Sequence, residues 1–132
     1  MAQDVTVDMM FGMMKTYLDQ GHGADIIKKL NCSFQFDFIP KKGAKPNKFF
    51  FVDLKQGSNG SVIRGSEKAT ATFTMTEADF MELCMGKKQG PQLFMQGKMK
   101  IKGNMGKATA FTPALFPPPT AESFQKYSIA KL

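Results

Sequence analysis

The feature that most constrains the fold is a change in hydrophobic period close to Ser33. Upstream, apolar residues recur every three or four positions, as they do on one face of a helix. From Ser33 onward three phenylalanines alternate with polar residues, which is the pattern of a strand with one buried face. These phenylalanines are Phe34, Phe36 and Phe38. Residues 69–76 alternate in the same way, so the chain predicts a sheet with one apolar face that helices must cover.

Three further strands are predicted at residues 48–55, 61–64 and 98–103. Asn59 and Gly60 form a dipeptide that favours a tight hairpin, so the two strands beside them should pair antiparallel. In the last of these strands the apolar residues should face inward and the lysines outward. The sequence therefore predicts five strands in total.

Helices are predicted before, between and after these strands. The first carries methionines on its apolar face and lies between an N-cap at Thr6 or Asp4 and a terminator at Gly21. Thr76 and Asn104 are predicted to cap two later helices through their side-chain oxygens. The other predicted helices span residues 24–30, 76–86, 92–96 and 104–111.

This order of elements predicts an α+β fold, with a five-stranded, mostly antiparallel sheet covered on one face by helices. A chain of 132 residues is long enough for one domain and too short for two. We place that domain at residues 1–116. Residues 117–132 are predicted to form a stiff proline spacer, a weakly amphipathic helix at residues 120–129 and a short tail.

Methionine and phenylalanine are in excess. The chain contains 11 methionines and 13 phenylalanines but no tryptophan. Unbranched, polarizable methionine suits a cavity that accepts ligands of varied shape, although it also fills gaps in ordinary cores. The formal net charge of +7 should attract anions such as nucleic acid, an anionic membrane or a phosphorylated ligand. Charge alone does not choose among them.

The residue types that catalysis or metal binding would need are sparse. His22, the single histidine, lies between two glycines in a predicted loop, and no phosphate-binding glycine motif is present. Cys32 and Cys84 are far apart and are expected to be buried, reduced thiols. We therefore expect no enzyme activity, no metal and no cofactor. Without a recognisable secretory leader or membrane-spanning run, a soluble intracellular protein is expected.

One run of 13 residues carries a family resemblance. Residues 94–106 read FMQGKMKIKGNMG and match the pattern F-x-Q-G-K-x-K-I-x-G-[ND]-x-G. Upstream, Asp79-Phe80 followed by Gly86-Lys87 is similar to the D-F…G-K helix of the same family, at the spacing found there, and residues 51–57 and 71–75 match less specifically. Over about residues 8–112 the chain resembles the sterol-carrier-protein-2 domains.

That resemblance implies an apolar tunnel that holds fatty acids, fatty acyl-CoA, sterols or phospholipids without altering them chemically. Within this picture Gln96 is the candidate for hydrogen bonding a ligand head group, or it caps its local turn. Each apolar candidate could instead be ordinary core. The candidate wall residues are Phe80, Leu83, Cys84, Phe94, Met95, Gln96, Met105, Ala108 and Phe111.

The last three residues, Ala130, Lys131 and Leu132, fit the small-basic-leucine tripeptide that the peroxisomal import receptor reads. Members of the resembled family often end in this way. We therefore expect a peroxisomal protein with a cytoplasmic pool before import, and the import receptor as a partner. The segment at residues 112–128 is longer than in typical single-domain members, so its relation to the tunnel stays open.

A small basic nucleic-acid-binding module is the alternative that the net charge permits. Such a module would expose aromatic residues among basic ones, whereas most phenylalanines here alternate with polar residues, so we expect no nucleic-acid partner. An acyl-CoA lyase or thioesterase would need a nucleophile or base that the sequence does not offer. Lys98, Lys100 and Lys102 are predicted on the outer face of the last strand, where they could attract acyl-CoA phosphates or make a transient contact with an anionic membrane.

Overall fold

The computed structural model of the protein describes residues 6–57, 60–111 and 122. The predicted boundary at 116/117, the proline spacer, the rest of the helix at 120–129 and the terminal tripeptide lie outside the described residues. The helices are α1 (Val7–Asp19), α2 (Ala24–Leu30), α3 (Glu77–Cys84), α4 (Gly90–Met95) and α5 (Met105–Ala110). The strands are β1 (Cys32–Ile39), β2 (Lys48–Leu54), β3 (Ser61–Arg64), β4 (Ala71–Thr76) and β5 (Lys100–Gly103).

The described strands form one sheet in the order β3-β2-β1-β4-β5. β1 and β4 are parallel, and the other three neighbouring pairs are antiparallel. The chain lays down β1, β2 and β3 as a meander, and β4 then returns to the free edge of β1. The α+β class, the mostly antiparallel sheet and the antiparallel pairing of β2 with β3 are confirmed, while Asn59 of the predicted turn lies outside the described residues.

Alternate residues of the strands point toward the helices and are buried, as the period of two predicts. This inner face is built from Phe34, Phe36, Phe38, Phe50, Val52, Leu54, Val62, Ala71, Phe73 and Met75, each at most 4% exposed. Helix α1 covers part of it with Met10, Phe11, Met13 and Met14, all fully buried. The predicted methionine face of α1 is therefore a core face.

The side chain of Phe11 stands at the centre of an aromatic cluster. Its ring stacks on Phe50 with 4.4 Å between the ring centroids and on Phe80 with 5.3 Å. It meets Phe36 and Phe38 edge to face, at 5.2 and 6.0 Å. Such pairs add about 1 kcal/mol each beyond the burial of their surface, so this cluster fixes α1 on the sheet.

Polar side chains begin three of the helices where the sequence predicts caps. Thr76 Oγ1 accepts a hydrogen bond from the N–H of Asp79 at 3.1 Å, and Asn104 Oδ1 accepts one from the N–H of Lys107 at 3.0 Å. Thr6 caps α1 in the same way, through a backbone N–H one turn later. Each bond satisfies a donor that the first helical turn leaves unpaired.

The boundaries of β5 and α4 differ from the prediction. β5 begins at Lys100 rather than at Lys98. The N–H groups of Lys98 and Met99 donate to the carbonyl of Leu93, at 2.9 and 3.2 Å, and are thereby used in the turn after α4 instead of the ladder with β4. Met99 is buried all the same, as predicted. Helix α4 begins earlier than predicted, at Gly90, with its proline in the first turn.

The outer face of the sheet is partly covered, which the alternation does not predict. Gln35 points outward yet is only 2% exposed. Its Nε2 donates to Asp37 Oδ1 at 2.9 Å and to the carbonyl of Gly65 at 3.1 Å, and its Oε1 accepts from the N–H of Glu67 at 2.9 Å. The connection between β3 and β4 is therefore held across this face by a satisfied amide.

Candidate functional site

A cavity of about 580 Å³ lies between the inner face of the sheet at its β4–β5 end and the helices α3, α4 and α5. Sites for small-molecule ligands in proteins span roughly 300–1,000 Å³, so the volume suits one small ligand. Most of its lining is apolar, and four methionines contribute to it. These are Met75, Met95, Met99 and Met105.

The cavity forms because the helices above it supply little bulk. Helix α1 buries seven of its 13 residues against the sheet. Helices α4 and α5 have six residues each and bury one apiece, Leu93 and Ala108. The second of these side chains is a single methyl group, and the ring of Phe111 just after α5, 5.3 Å from Phe36 and 5.8 Å from Phe73, covers only part of the sheet there.

The mouth of the cavity is lined by exposed apolar side chains. Met95 is 86% exposed, Phe94 44% and Met105 43%, although all three line the cavity. Because a wall residue that is also exposed to solvent marks an opening, the cavity communicates with solvent between α4 and the start of α5. Unbranched methionine at such an opening can move aside for a ligand.

Seven of the nine sequence-predicted wall residues line this cavity. They are Leu83, Cys84, Phe94, Met95, Met105, Ala108 and Phe111. Phe80 does not line it, because α3 turns this ring into the aromatic cluster, 5.3 Å from both Phe11 and Phe38. Gln96 does not line it either, because it ends α4 as an exposed C-cap residue. That the seven bind lipid stays a prediction.

Sequence reasoning missed the floor of the cavity. Phe36, Phe73, Met75 and Ile101 come from β1, β4 and β5, and Met99 from the turn before β5. The alternation does place the strand residues on the inner face. It could not show which part of that face would stay open, because this depends on the bulk of the helices above.

Cys84 is the thiol of the cavity wall. Burial raises the pKa of the Cys84 thiol to about 12, since the charged thiolate is poorly solvated there. Burial likewise raises the pKa of Cys32, which lies in the core. A thiol in this state is protonated at neutral pH and is a poor nucleophile.

Lys88 is the cationic side chain of the lining. Its Nζ lies 3.1 Å from Glu82 Oε2 and 3.5 Å from Asp79 Oδ1. The hydrogen bond to Glu82 raises the pKa of Lys88, with the charges of both carboxylates adding to it. The two acids on α3 therefore balance this one cation at the edge of the cavity.

Metal and membrane-spanning signatures are absent from the part of the chain that the structure describes. Within that part no three histidine, cysteine, aspartate or glutamate side chains come together as a metal site. None of the helices there has the length and hydropathy needed to cross a bilayer. His22 lies in the turn between α1 and α2, as predicted, and its ring stacks on Tyr17 at 4.9 Å.

Comparison with known proteins relates this chain to sterol carrier proteins. The sterol carrier protein 2 of Arabidopsis thaliana is 34% identical over 113 residues, which is 86% of this chain and 92% of that protein. The peroxisomal multifunctional enzyme A of Dictyostelium discoideum is 39% identical over 88 residues, which is 66% of this chain but 19% of that enzyme. The likeness therefore covers nearly the whole of one relative and a small part of the other.

Solved structures have the same fold. Sterol carrier protein 2 of Yarrowia lipolytica in its apo form superposes with a TM-score of 0.68 at 32% identity, over 80% of this chain and 85% of that one. The sterol carrier protein 2 of Aedes aegypti was solved in complex with palmitate. It superposes with a TM-score of 0.64 at 18% identity, over 86% of this chain and 96% of that one. At that identity the second likeness concerns the fold alone.

The sequence model of the SCP-2 sterol transfer family matches residues 14–116. This span includes the 13-residue run that first suggested the resemblance, and it covers the sheet and α2 to α5 entirely. The match takes in well over half of the chain. The protein therefore belongs to the SCP-2 sterol transfer family.

Proposed function

We propose that the protein is a non-enzymatic lipid carrier. It binds a fatty acid, a fatty acyl-CoA, a sterol or a phospholipid chain in the cavity and transfers it or presents it to another protein. The observation that carries this proposal is the 580 Å³ cavity with apolar walls, at the β4–β5 end of a sheet of the SCP-2 family. The palmitate complex of the Aedes aegypti protein supports it.

Binding follows from the hydrophobic effect. Moving an acyl chain from water into the cavity contributes about 0.8 kcal/mol for each methylene that is buried. Methionine side chains adapt their rotamers at little cost, so ligands of different shape should bind with similar affinity. The protein is therefore a carrier of broad selectivity.

The ligand's polar end stays at the mouth. A charged head group buried in the apolar part of the cavity would lose its hydration without compensation. The polar lining residues stand toward the helices rather than on the sheet floor, and they include Gln89 and Thr109. We assign the head group to that side, where these two side chains offer an amide and a hydroxyl group.

The proposal of a carrier without enzyme activity rests on the chemistry of the wall. The thiol of Cys84 is held protonated, and the ammonium group of Lys88 is engaged with Glu82 and Asp79. Neither group is poised to attack or deprotonate a bound acyl group. Lipid should leave the cavity unchanged.

We place the protein in the peroxisome, with a cytoplasmic pool before import. The terminal Ala130, Lys131 and Leu132 fit the tripeptide read by the import receptor, and the Dictyostelium relative is a peroxisomal enzyme by name. A fluorescent protein fused in front of the full chain should enter peroxisomes. Removal of the last three residues should leave the fusion in the cytosol, and continued import would contradict the assignment.

A nucleic-acid-binding module finds less support in the structure. Such a module stacks bases on exposed aromatic rings. Among the described phenylalanines only Phe94 is exposed, and it lines the cavity. Binding of single-stranded DNA at physiological salt should therefore be weak.

Displacement of a fluorescent fatty acid tests the carrier function. Palmitate, palmitoyl-CoA and a sterol should each displace the probe from the folded protein. Met105→Glu places a charge in the cavity wall and should weaken probe binding at least tenfold, because burial of a carboxylate opposes it. Ile63→Glu changes an equally exposed residue on the opposite face and should bind normally. No displacement by any of the three lipids would overturn the proposal.

A further inference from the structure

The exposed methionines lie at or beside the lining of the cavity. All 11 methionines of the chain except Met1 fall within the described residues. Six of these ten are at most 7% exposed, and Met9 is half-buried. The three exposed ones are Met85, Met95 and Met105, at 47%, 86% and 43%. Met95 and Met105 line the cavity, whereas Met85 lies between two lining residues of the sequence without belonging to the lining.

An exposed methionine thioether is open to oxidation by hydrogen peroxide. A lone pair of the sulfur attacks one peroxide oxygen, the O–O bond breaks, an S–O bond forms, and the other oxygen leaves as water. The sulfur is oxidised to the sulfoxide and the peroxide is reduced. Because the oxidant must reach the sulfur, a buried methionine reacts more slowly. The exposed fractions therefore place Met85, Met95 and Met105 ahead of the six buried methionines.

The thiol of Cys84 also lies in the cavity wall but is a poor target for peroxide. Peroxide attacks the thiolate form of cysteine, and burial raises the pKa of the Cys84 thiol to about 12. A thioether has no proton to lose, so its reactivity does not depend on ionisation. Methionine is therefore the sulfur side chain of the cavity lining that peroxide modifies first.

Oxidation would change the polarity of the opening on both sides. Met95 is the last residue of α4 and Met105 is the first residue of α5, and the cavity opens between these helices. A sulfoxide is polar and is hydrated in the empty protein. A lipid that enters between the two side chains removes that water, and burial of a polar group without a hydrogen-bond partner opposes binding. Sulfoxides at these two positions should therefore weaken lipid binding.

We propose that Met95 and Met105 are reversible oxidation sites through which hydrogen peroxide weakens lipid binding. This inference rests on the proposed carrier function and adds a covalent modification that regulates it. Methionine sulfoxide reductases reverse the modification. In the reversal the S–O bond breaks, two thiols of the reductant form a disulfide, and the oxygen leaves as water. Met85 is oxidised as well, but its sulfoxide leaves binding unchanged because this residue lies outside the lining.

Peptide mapping by mass spectrometry tests the sites of oxidation. Under limited treatment with hydrogen peroxide, Met95 and Met105 should each gain one oxygen at least tenfold faster than Met10 and Met13, which are fully buried. Cys84 should remain a thiol under the same treatment. Equal rates at the exposed and the buried methionines, or faster oxidation of the buried pair, overturn the proposal.

Titration with a fluorescent fatty acid before and after oxidation tests the effect on binding. Oxidation of the wild type should weaken binding at least fivefold, and methionine sulfoxide reductase with dithiothreitol should restore it. In the variant with Met95→Leu and Met105→Leu, oxidation should change the affinity less than twofold, because leucine keeps both positions apolar. The matched control Met85→Leu removes the third exposed methionine and should lose affinity on oxidation as the wild type does. An equal loss in the double variant and the wild type overturns the proposal.

The untreated wild type separates this proposal from the carrier function. Untreated protein that binds no fatty acid overturns the carrier function. Untreated protein that binds, together with unchanged affinity once mass spectrometry shows Met95 and Met105 oxidised, overturns the regulation and leaves the carrier function standing. Circular dichroism should show that the oxidised protein keeps its fold. A loss of affinity that accompanies unfolding overturns the regulation as well.

Discussion

The inner face of the sheet has two halves of similar residue composition. One half is packed with side chains, and the other borders a cavity. In the packed half, under α1, the rings of Phe11, Phe38, Phe50 and Phe80 are fully buried and lie against one another. In the hollow half, under α4 and α5, the side chains of the sheet border a cavity. The difference lies in the helices, since α1 buries seven residues and each of the two short helices buries one.

Phe36 stands on the border between the halves. Its ring centroid lies 5.2 Å from that of Phe11 on one side and 5.2 Å from that of Phe73 on the other. It also belongs to the cavity lining. Under the proposed function, we expect the packed half to supply most of the stability and the hollow half to bind the ligand, with Phe36 as the wall that they share.

Removing a ring from the packed half should have the largest effect. Phe11→Ala leaves a void between four other rings and should lower the free energy of unfolding by about 3–5 kcal/mol, as measured by urea denaturation. Phe94→Ala, the same change at the rim of the hollow half, should lower it by less than about 1 kcal/mol because the ring is 44% exposed. Similar decreases in the free energy of unfolding for both variants would contradict the distinction between the halves.

A larger side chain should lower stability in the packed half but lower ligand affinity in the hollow half. Met13→Trp forces a larger side chain into the packed half, where Met13 is fully buried, and should destabilise the fold by about 1–3 kcal/mol. Leu83→Trp fills the hollow half, so thermal unfolding should change little while fatty-acid affinity falls at least tenfold. Unaltered binding by Leu83→Trp would place the ligand elsewhere.

The alkylation rate of the Cys84 thiol tests the hollow half. With its pKa raised to about 12, alkylation at pH 8 should be at least tenfold slower than for an ordinary exposed thiol, because so little thiolate is present. A bound lipid should slow it further by covering the wall. Peptide mapping by mass spectrometry distinguishes Cys84 from Cys32. Rapid alkylation of Cys84 that lipid does not slow would contradict the proposed site.

The smallest effect should come from the ion pairs that join α1 to the sheet. Lys48 Nζ lies 3.1 Å from Asp8 Oδ2 and 3.2 Å from Glu77 Oε1. Lys48→Met should cost up to about 1 kcal/mol of unfolding free energy. Lys15→Met, which breaks an exposed pair within α1, should cost less.

The contribution of Lys48 has a defined pH dependence. Although burial opposes the charged form, hydrogen bonds to Asp8 and Glu77 raise the pKa of Lys48 above its ordinary value of 10.5. A raised pKa in the folded state stabilises the fold below the unfolded pKa, and that contribution is lost as the pH rises through the folded pKa. The difference in stability between wild type and Lys48→Met should therefore narrow above about pH 10.5. A difference that widens there would contradict the assignment.

Patterns local in sequence predicted much of the fold. The period of two at Phe34, Phe36 and Phe38 identified the inner face, and the caps at Thr76 and Asn104 form the expected hydrogen bonds. These features depend on neighbours within a few residues. For that reason they can be read without knowing how the elements pack.

Features that depend on distant neighbours could not be predicted in the same way. Phe80 and Leu83 share one face of α3, yet that helix spans the border, so the first enters the packed half and the second lines the cavity. Gln35 is buried because the connection between β3 and β4, some 30 positions away in sequence, lies over it and forms hydrogen bonds with its amide. Where the cavity lies follows from the small bulk of α4 and α5, which sequence spacing does not express.

Methyl NMR of the methionines tests the central claim most directly, because both halves contain them. Titration of protein labelled at the methionine methyl groups with palmitate should shift the signals of Met75, Met99 and Met105 in the hollow half. The signals of Met10 and Met13 in the packed half should stay in place. Shifts confined to the packed half, or no shifts at saturating palmitate, would contradict the account.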